Sequence, residues 1–434
     1  MSTVAVTPSR GPELGRDFLP VAAPVSMKAP ITYGVLGVVA LLAFGIFGRE
    51  GDASFATATP ATDFFQIPVL VVSSKLLGVV LGVVCLAVAA YTWWATKNRR
   101  RTGVWVPGVF TLAFVVAFLG WAIAGGTISL QVTGMLVGTL FLAVPLTFGA
   151  ISGVINERVG IINIAIEGQL LAGAFLAAVA ASVTNNVYVG LLAAPVAGIL
   201  VALLLALFTI KYAVNQIIVG VVLNVLVAGV TGFLYSTVLT VNATTWNQPP
   251  GLSRIAVPVL SQVPIIGPVL FNQTLVVYLM YVTVIGTQIM LFRSRWGLRL
   301  RSVGEHPRAA DTVGIKVNMT RFRNVLLGGA IAGLGGAFFT IGNSLAFGKE
   351  MTAGKGFIAL AAMIFGRWSP KGALGAALLF GFAEQARISL GIAATATIPS
   401  EFMLMTPYLV TIFAVAGLVG RVRPPAAEGI HYSK

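Results

Sequence analysis

Residues 293–323, RSRWGLRLRSVGEHPRAADTVGIKVNMTRFR, lie between two long apolar runs and decide how the rest of the chain is read. Eight cations (Arg293, Arg295, Arg299, Arg301, Arg308, Lys316, Arg321 and Arg323) stand there against Glu305 and Asp311. Lys and Arg resist translocation, so a loop this basic between membrane spans is expected on the cytoplasmic side. Its middle, Pro307 to Val317, reads as a short helix of alternating polar and apolar residues, with Ala309-Ala310-Asp311 followed by Gly314. A partly apolar helix in such a loop needs something to dock against.

Working outward, the chain has 434 residues, of which 57% are hydrophobic and only 9% charged, and its mean hydropathy is +0.93. Ordinary globular proteins carry about 25% charged residues. The composition therefore specifies an all-α polytopic membrane protein. The net charge of +15 sits in short loops beside apolar runs, which fits membrane topology and excludes nucleic acid as the partner. One cysteine, Cys85, and two histidines, His306 and His431, leave no disulfide framework and no metal site. The nearest approach to a nucleotide loop, Gly342 to Lys349, has the wrong glycine spacing and Glu350 where a magnesium-binding hydroxyl must stand. The chain is not an enzyme on this reading and binds no cofactor of its own.

Residues 1–30 are expected to form a disordered cytoplasmic tail. Apolar runs place spans at 31–48, 68–95, 106–124, 131–154, 165–183, 188–210, 214–240, 273–292, 324–346, 356–366, 373–392 and 405–420. The first three belong to an extension over 31–129. The remainder forms a core over 130–424 of about eight or nine segments, some broken or re-entrant, since 356–366 is too short to cross alone. Counted from a cytoplasmic N-terminus, the basic clusters at 97–101, 293–323, 367–371 and 421–423 all fall inside, and 425–434 is a cytoplasmic tail. Loop 241–273, with Arg254 its sole charge, falls outside. The stretches 173–190 and 356–372 echo each other as helix, polar break and longer helix, and the glycines of 328–336 let helices pack closely.

Polar residues at membrane depth mark the candidate substrate path. Glu167 is a carboxylate followed by apolar sequence, and Asn163, four residues earlier, shares its face if the segment is helical. Asn215, Gln216 and Asn224 add amides, although nine residues separate Asn215 from Asn224 and set them on opposite helix faces. Glu384 and Arg387, spaced i,i+3, read as a structural pair along one helix.

Four stretches carry a resemblance: ERVGIINIAIEGQLLAGAF (157–175), WGLRLRSVGEHPRAADTVGI (296–315), MTAGKGFIALAAMIFGRWSPKGALGAALLFG (351–381) and PYLVTIFAVAGLVGRVRPPAA (407–427). Together they resemble the permease subunit of bacterial ABC importers, in the branch grouping simple-sugar, branched-chain amino-acid and nucleoside permeases, and look most like the nucleoside permeases. The resemblance covers about Leu130 to Lys434. It implies a plasma-membrane subunit that pairs with a second related permease chain or with itself. It further implies separate ABC ATPase subunits, which hold the ATP and magnesium, and an external substrate-binding lipoprotein. The coupling segment that meets the ATPase would comprise Glu305, Pro307, Arg308, Ala309, Ala310, Asp311, Gly314 and Ile315, with the family's alanine pattern only loosely kept. Simple sugars and branched-chain amino acids are the alternative cargoes. A secondary transporter would share the broken helices but would need coupling-ion carboxylates that are scarce here.

Overall fold

The computed structural model describes residues 27–57, 64–65, 67–100, 102–103, 105–393 and 423–433. The expected span at 405–420, most of the N-terminal tail, Arg101 and Arg421 lie outside the described residues. Helices dominate. Nine of them among the described residues are long and apolar enough to cross a membrane: α1 (Lys28–Ile46), α2 (Ser74–Lys97), α3 (Trp105–Ala122), α4 (Val132–Arg158), α5 (Ile166–Thr184), α6 (Val187–Lys211), α7 (Gln216–Leu239), α9 (Leu275–Arg293) and α12 (Val317–Ser344). A single turn, α8 (Ala243–Trp246), follows α7. Two short helices, α10 (Arg295–Glu305) and α11 (Pro307–Thr312), fill the basic loop. The 11-residue α13 (Lys355–Phe365) and the 24-residue α14 (Pro370–Ala393) complete the order. Five short strands among the described residues join them. β1 (Asp52–Ala56) pairs antiparallel with β2 (Leu70–Ser73) and parallel with β3 (Leu130–Gln131), and β4 (Arg254–Ala256) pairs antiparallel with β5 (Asn272–Thr274).

The chain divides into two compact units, one of residues 1–49 with 74–121 and one of residues 50–73 with 122–434. In the first, α1 through α3 pack around Phe44, whose ring meets Phe114, Phe118 and Trp121 at 5.6, 5.8 and 5.6 Å. Two expectations for the N-terminal region are corrected. Helix α1 begins at Lys28, so 28–30 are its first turn, where Pro30 is tolerated because that turn's N–H groups have no helical partner. Residues 50–56 and 70–73, expected in the extension, are tied by strand pairing to β3 and so belong to the second unit.

The second unit is built around α4 and α12, each 67% buried over its apolar window against 28% for α1 and α2. That contrast makes α4 and α12 the hub of the second unit. Small residues allow the close approach. A Cβ on Gly198 of α6 would collide with the Gly329 carbonyl of α12, and one on Gly336 would strike the Leu170 carbonyl of α5. Lipid gives helices no hydrophobic reason to associate, so such backbone contact supplies the dispersion that holds them. Helix α13 is about 16 Å long by its rise per residue, roughly half of the ~30 Å apolar core of a bilayer. It is a half-helix reached through the irregular stretch 345–354.

Candidate functional site

Between α4 and α5 the chain unwinds over 159–165 while remaining largely buried. Buried backbone without a helix must find its hydrogen bonds elsewhere. It finds them on amides from α7. Gln216 Oε1 accepts from the Ile162 N–H at 2.7 Å, and Asn224 Nδ2 donates to the Ile164 carbonyl at 2.9 Å while its Oδ1 accepts from the Gly168 N–H at 2.8 Å. Asn163, fully buried within the break, donates to Gln169 Oε1 at 3.0 Å and to Ser152 Oγ at 3.4 Å. The break is thus stitched by side chains singled out from sequence as midplane polar residues. Asn163 and Glu167 do not share one helical face, because α5 begins only at Ile166.

Glu167 lies in the first turn of α5 and reaches the N-terminus of α13. Its Oε1 accepts from Thr352 Oγ1 at 2.6 Å and the Gly354 N–H at 2.8 Å, and its Oε2 accepts from the Gly356 N–H at 2.5 Å. Helix α13 has no side-chain cap of its own. The carboxylate therefore satisfies orphan donors of one helix from the first turn of another, where both helix dipoles favour negative charge. Asn215 stands apart: it is exposed and caps α7, accepting from Ile217 and Ile218 N–H groups at 3.0 and 3.3 Å. Three polar atoms at the break, Asn163 Oδ1, Gln169 Nε2 and Gln216 Nε2, are buried with no hydrogen-bond partner. Gln169 carried no sequence signal beyond its place two residues after Glu167. Glu384 and Arg387 form a two-point pair on α14, Nη2–Oε1 at 2.5 Å and Nε–Oε2 at 3.3 Å.

The basic loop departs from the single helix expected over 307–317. Helix α10 fills its first half, capped by Ser294 Oγ accepting from the Gly297 N–H at 3.1 Å, with Gly297, Leu300, Val303 and Gly304 buried on one face. Helix α11 then runs only from Pro307 to Thr312. It ends because Gly314 adopts φ +84° and turns the chain, its N–H donating to the Asp311 carbonyl at 2.9 Å. Within this arm Arg308, Ala309 and Gly314 are exposed, Pro307, Asp311 and Ile315 are half-buried, and Ala310 is buried against its own chain. Ala310 therefore cannot be the docking contact expected of it. The exposed apolar residues are Leu298, Val313 and Met319, which line a cleft of about 750 Å³ together with Arg299, Lys316 and Arg323. Arg321, counted among the loop cations from sequence, is 2% exposed in the first turns of α12.

The model of a family described as the permease component of branched-chain amino acid transport systems matches residues 135–415. The chain is 38% identical over 309 residues to a guanosine ABC transporter permease protein, NupQ of Bacillus subtilis, covering 68% of this chain and 95% of that one. It is 39% identical over 303 residues to a nucleoside ABC transporter permease protein, NupC of Lactococcus lactis, again covering 68% and 95%. A putative glucose ABC transporter permease protein, TsgC13 of Haloferax volcanii, is 31% identical over 309 residues, 66% of this chain and 92% of its own. No solved structure matches.

Proposed function

The chain belongs to the family of permease components of branched-chain amino acid transport systems, and we propose that within it this protein forms the path for nucleosides in an ABC importer. One observation carries the assignment of the path. An unwound, buried segment is held by amides that keep spare hydrogen-bonding capacity at Asn163, Gln169 and Gln216. Ribose hydroxyls and base edges are donors and acceptors of the kind those atoms lack. On this reading Asn163, Gln216 and Asn224 border the route at the break, and the buried groups of Asn163 and Gln216 meet cargo only when the break opens. Glu167 holds the half-helix α13 beside it, and Asn215 sits at its exposed margin. The likeness to guanosine and nucleoside permeases supports nucleosides over sugars as cargo.

The chain supplies no ATP-hydrolysing loop, so separate ATPase subunits that bind ATP and magnesium drive it. The face made by Leu298, Val313 and Met319, rimmed by Arg299, Lys316 and Arg323, is where they dock. Its positive charge supports a cytoplasmic position for this face in a bacterial cell, and the loop count from there puts both termini on the same side of the plasma membrane. A second permease chain, related or identical, and an external substrate-binding lipoprotein complete the importer. The test is uptake of labelled guanosine and labelled glucose by the complex in proteoliposomes. ATP-dependent guanosine uptake that glucose does not compete for is the expected result. Glucose uptake without guanosine uptake would overturn the cargo assignment.

A further inference from the structure

The irregular stretch 345–354, which carries the chain from α12 back to the half-helix α13, is held by the loop that follows α7. Asn247 Nδ2 donates to the Phe347 carbonyl at 3.0 Å, and Asn247 Oδ1 accepts from the Phe347 N–H at 2.6 Å. One side chain thus satisfies both backbone groups of a single distant residue. A few positions on, the Leu252 N–H donates to the Ile341 carbonyl of α12 at 3.0 Å. The stretch held in this way is strained. Leu345, Glu350 and Ala353 adopt φ of +55°, +50° and +46°, a left-handed region that residues with a Cβ keep only where their surroundings hold them there.

The clasp seats the Phe347 ring. That ring is buried, meeting Phe175 of α5 edge-on with centroids 5.2 Å apart and Tyr235 of α7 at 6.2 Å. By helical rise Phe175 lies about 12 Å along α5 from Glu167, and Tyr235 about 16 Å along α7 from Asn224. Both helices lead away from the break, whose near end packs on the arm: a Cβ on Gly304 of α10 would strike the Arg158 carbonyl. Phe347 therefore joins the two helices that border the break, on the side away from the arm. We propose that Phe347 is the outer stopper of the substrate route and that Asn247 is the positioning residue that keeps it seated. The proposal rests on reading the break as the route and the arm as cytoplasmic. Helix α8, exposed at all four of its residues, ends immediately before Asn247. Displacing α8 from outside pulls on the clasp, and the strain in 345–354 favours release once the clasp opens.

Leu171, buried on α5 four residues from both Glu167 and Phe175, is the reporter. Leu171→Cys is made in a Cys85→Ser chain, and the full importer is reconstituted in proteoliposomes. Its reaction with a membrane-impermeant methanethiosulfonate is followed from each face, with Val241→Cys as the exposed outer reference. From outside, the Leu171→Cys thiol should react slowly while Phe347 is in place and about tenfold faster in Phe347→Ala. Asn247→Leu keeps the ring but leaves the Phe347 N–H and carbonyl unpaired; it should give a rise of about the same order and serves if Phe347→Ala folds poorly. A merely structural clasp would instead lower the melting temperature of Asn247→Leu without opening the thiol to the outer reagent, and that result would overturn the stopper. Reaction from the cytoplasmic face alone in every folded variant would also overturn it, while leaving the route standing. No reaction from either face in any variant would overturn both. Cargo plays no part in the readout, so the identity of the solute is judged separately by uptake.

Discussion

Two places in the second unit interrupt its long helices, and they resolve the same problem in opposite ways. At 159–165 the backbone is buried and unwound, and side chains from other helices satisfy it: Gln216 and Asn224 from α7, with Glu167 reaching on to α13. In the arm at 294–316 the helix ends are closed within the arm, by the Ser294 cap and the Gly314 turn, and many of its side chains are left exposed. Polar groups in the first region therefore hold the fold, whereas cations in the second are available to a partner. Charge read from sequence does not separate the two. Burial and hydrogen-bond partners do.

The contrast breaks most sharply at Glu167. Replacement by Ala strands Thr352 Oγ1 and the Gly354 and Gly356 N–H groups, and should destabilise the chain by about 4 kcal/mol. Thermal melting in detergent measures this directly, and an unchanged midpoint would mean that α13 does not depend on the clamp. Asn224→Leu removes one bond to the break and one to the first turn of α5, leaving the Ile164 carbonyl and Gly168 N–H unpaired, and should cost about 3 kcal/mol. Asn224→Asp sharpens the test. It keeps the acceptor for Gly168 but loses the donor for Ile164, so its loss should be intermediate if the two bonds act separately. Asn215→Ala removes only an exposed helix cap and should cost about 1 kcal/mol, with Asn215→Gly milder still. A larger loss at Asn215 than at Asn224 would reverse the ranking of exposed and buried amides.

The apolar runs made the membrane class and most helix positions legible, because helices in lipid must be long and apolar. The site was legible only as a set of residues. Glu167 stood out as a carboxylate in apolar sequence, but its partners are mostly backbone N–H groups more than 180 residues away, which no side-chain pattern reveals. Helix α10 carries a sequence signal of its own, Ser294 at the cap position and Leu300 and Val303 three residues apart. Arg321 looked like one more loop cation because the start of α12, at Val317, is as polar as the loop before it. The folded segment 425–433 has too few apolar residues to declare itself. It packs through backbone bonds and the Arg321 guanidinium instead of a hydrophobic face.

The comparison predicts that stability and coupling can be lost separately. Arg299→Glu with Arg323→Glu changes two exposed cations, so the melting free energy should move by less than about 0.5 kcal/mol. The same variant should abolish ATP hydrolysis stimulated by the substrate-loaded lipoprotein, because the face proposed to meet the ATPase would carry the wrong charge. Measuring both quantities on one reconstituted preparation tests the account most directly. Unchanged melting with lost stimulation is the predicted result. Full stimulation in the double variant would contradict the assignment of the arm as the docking face.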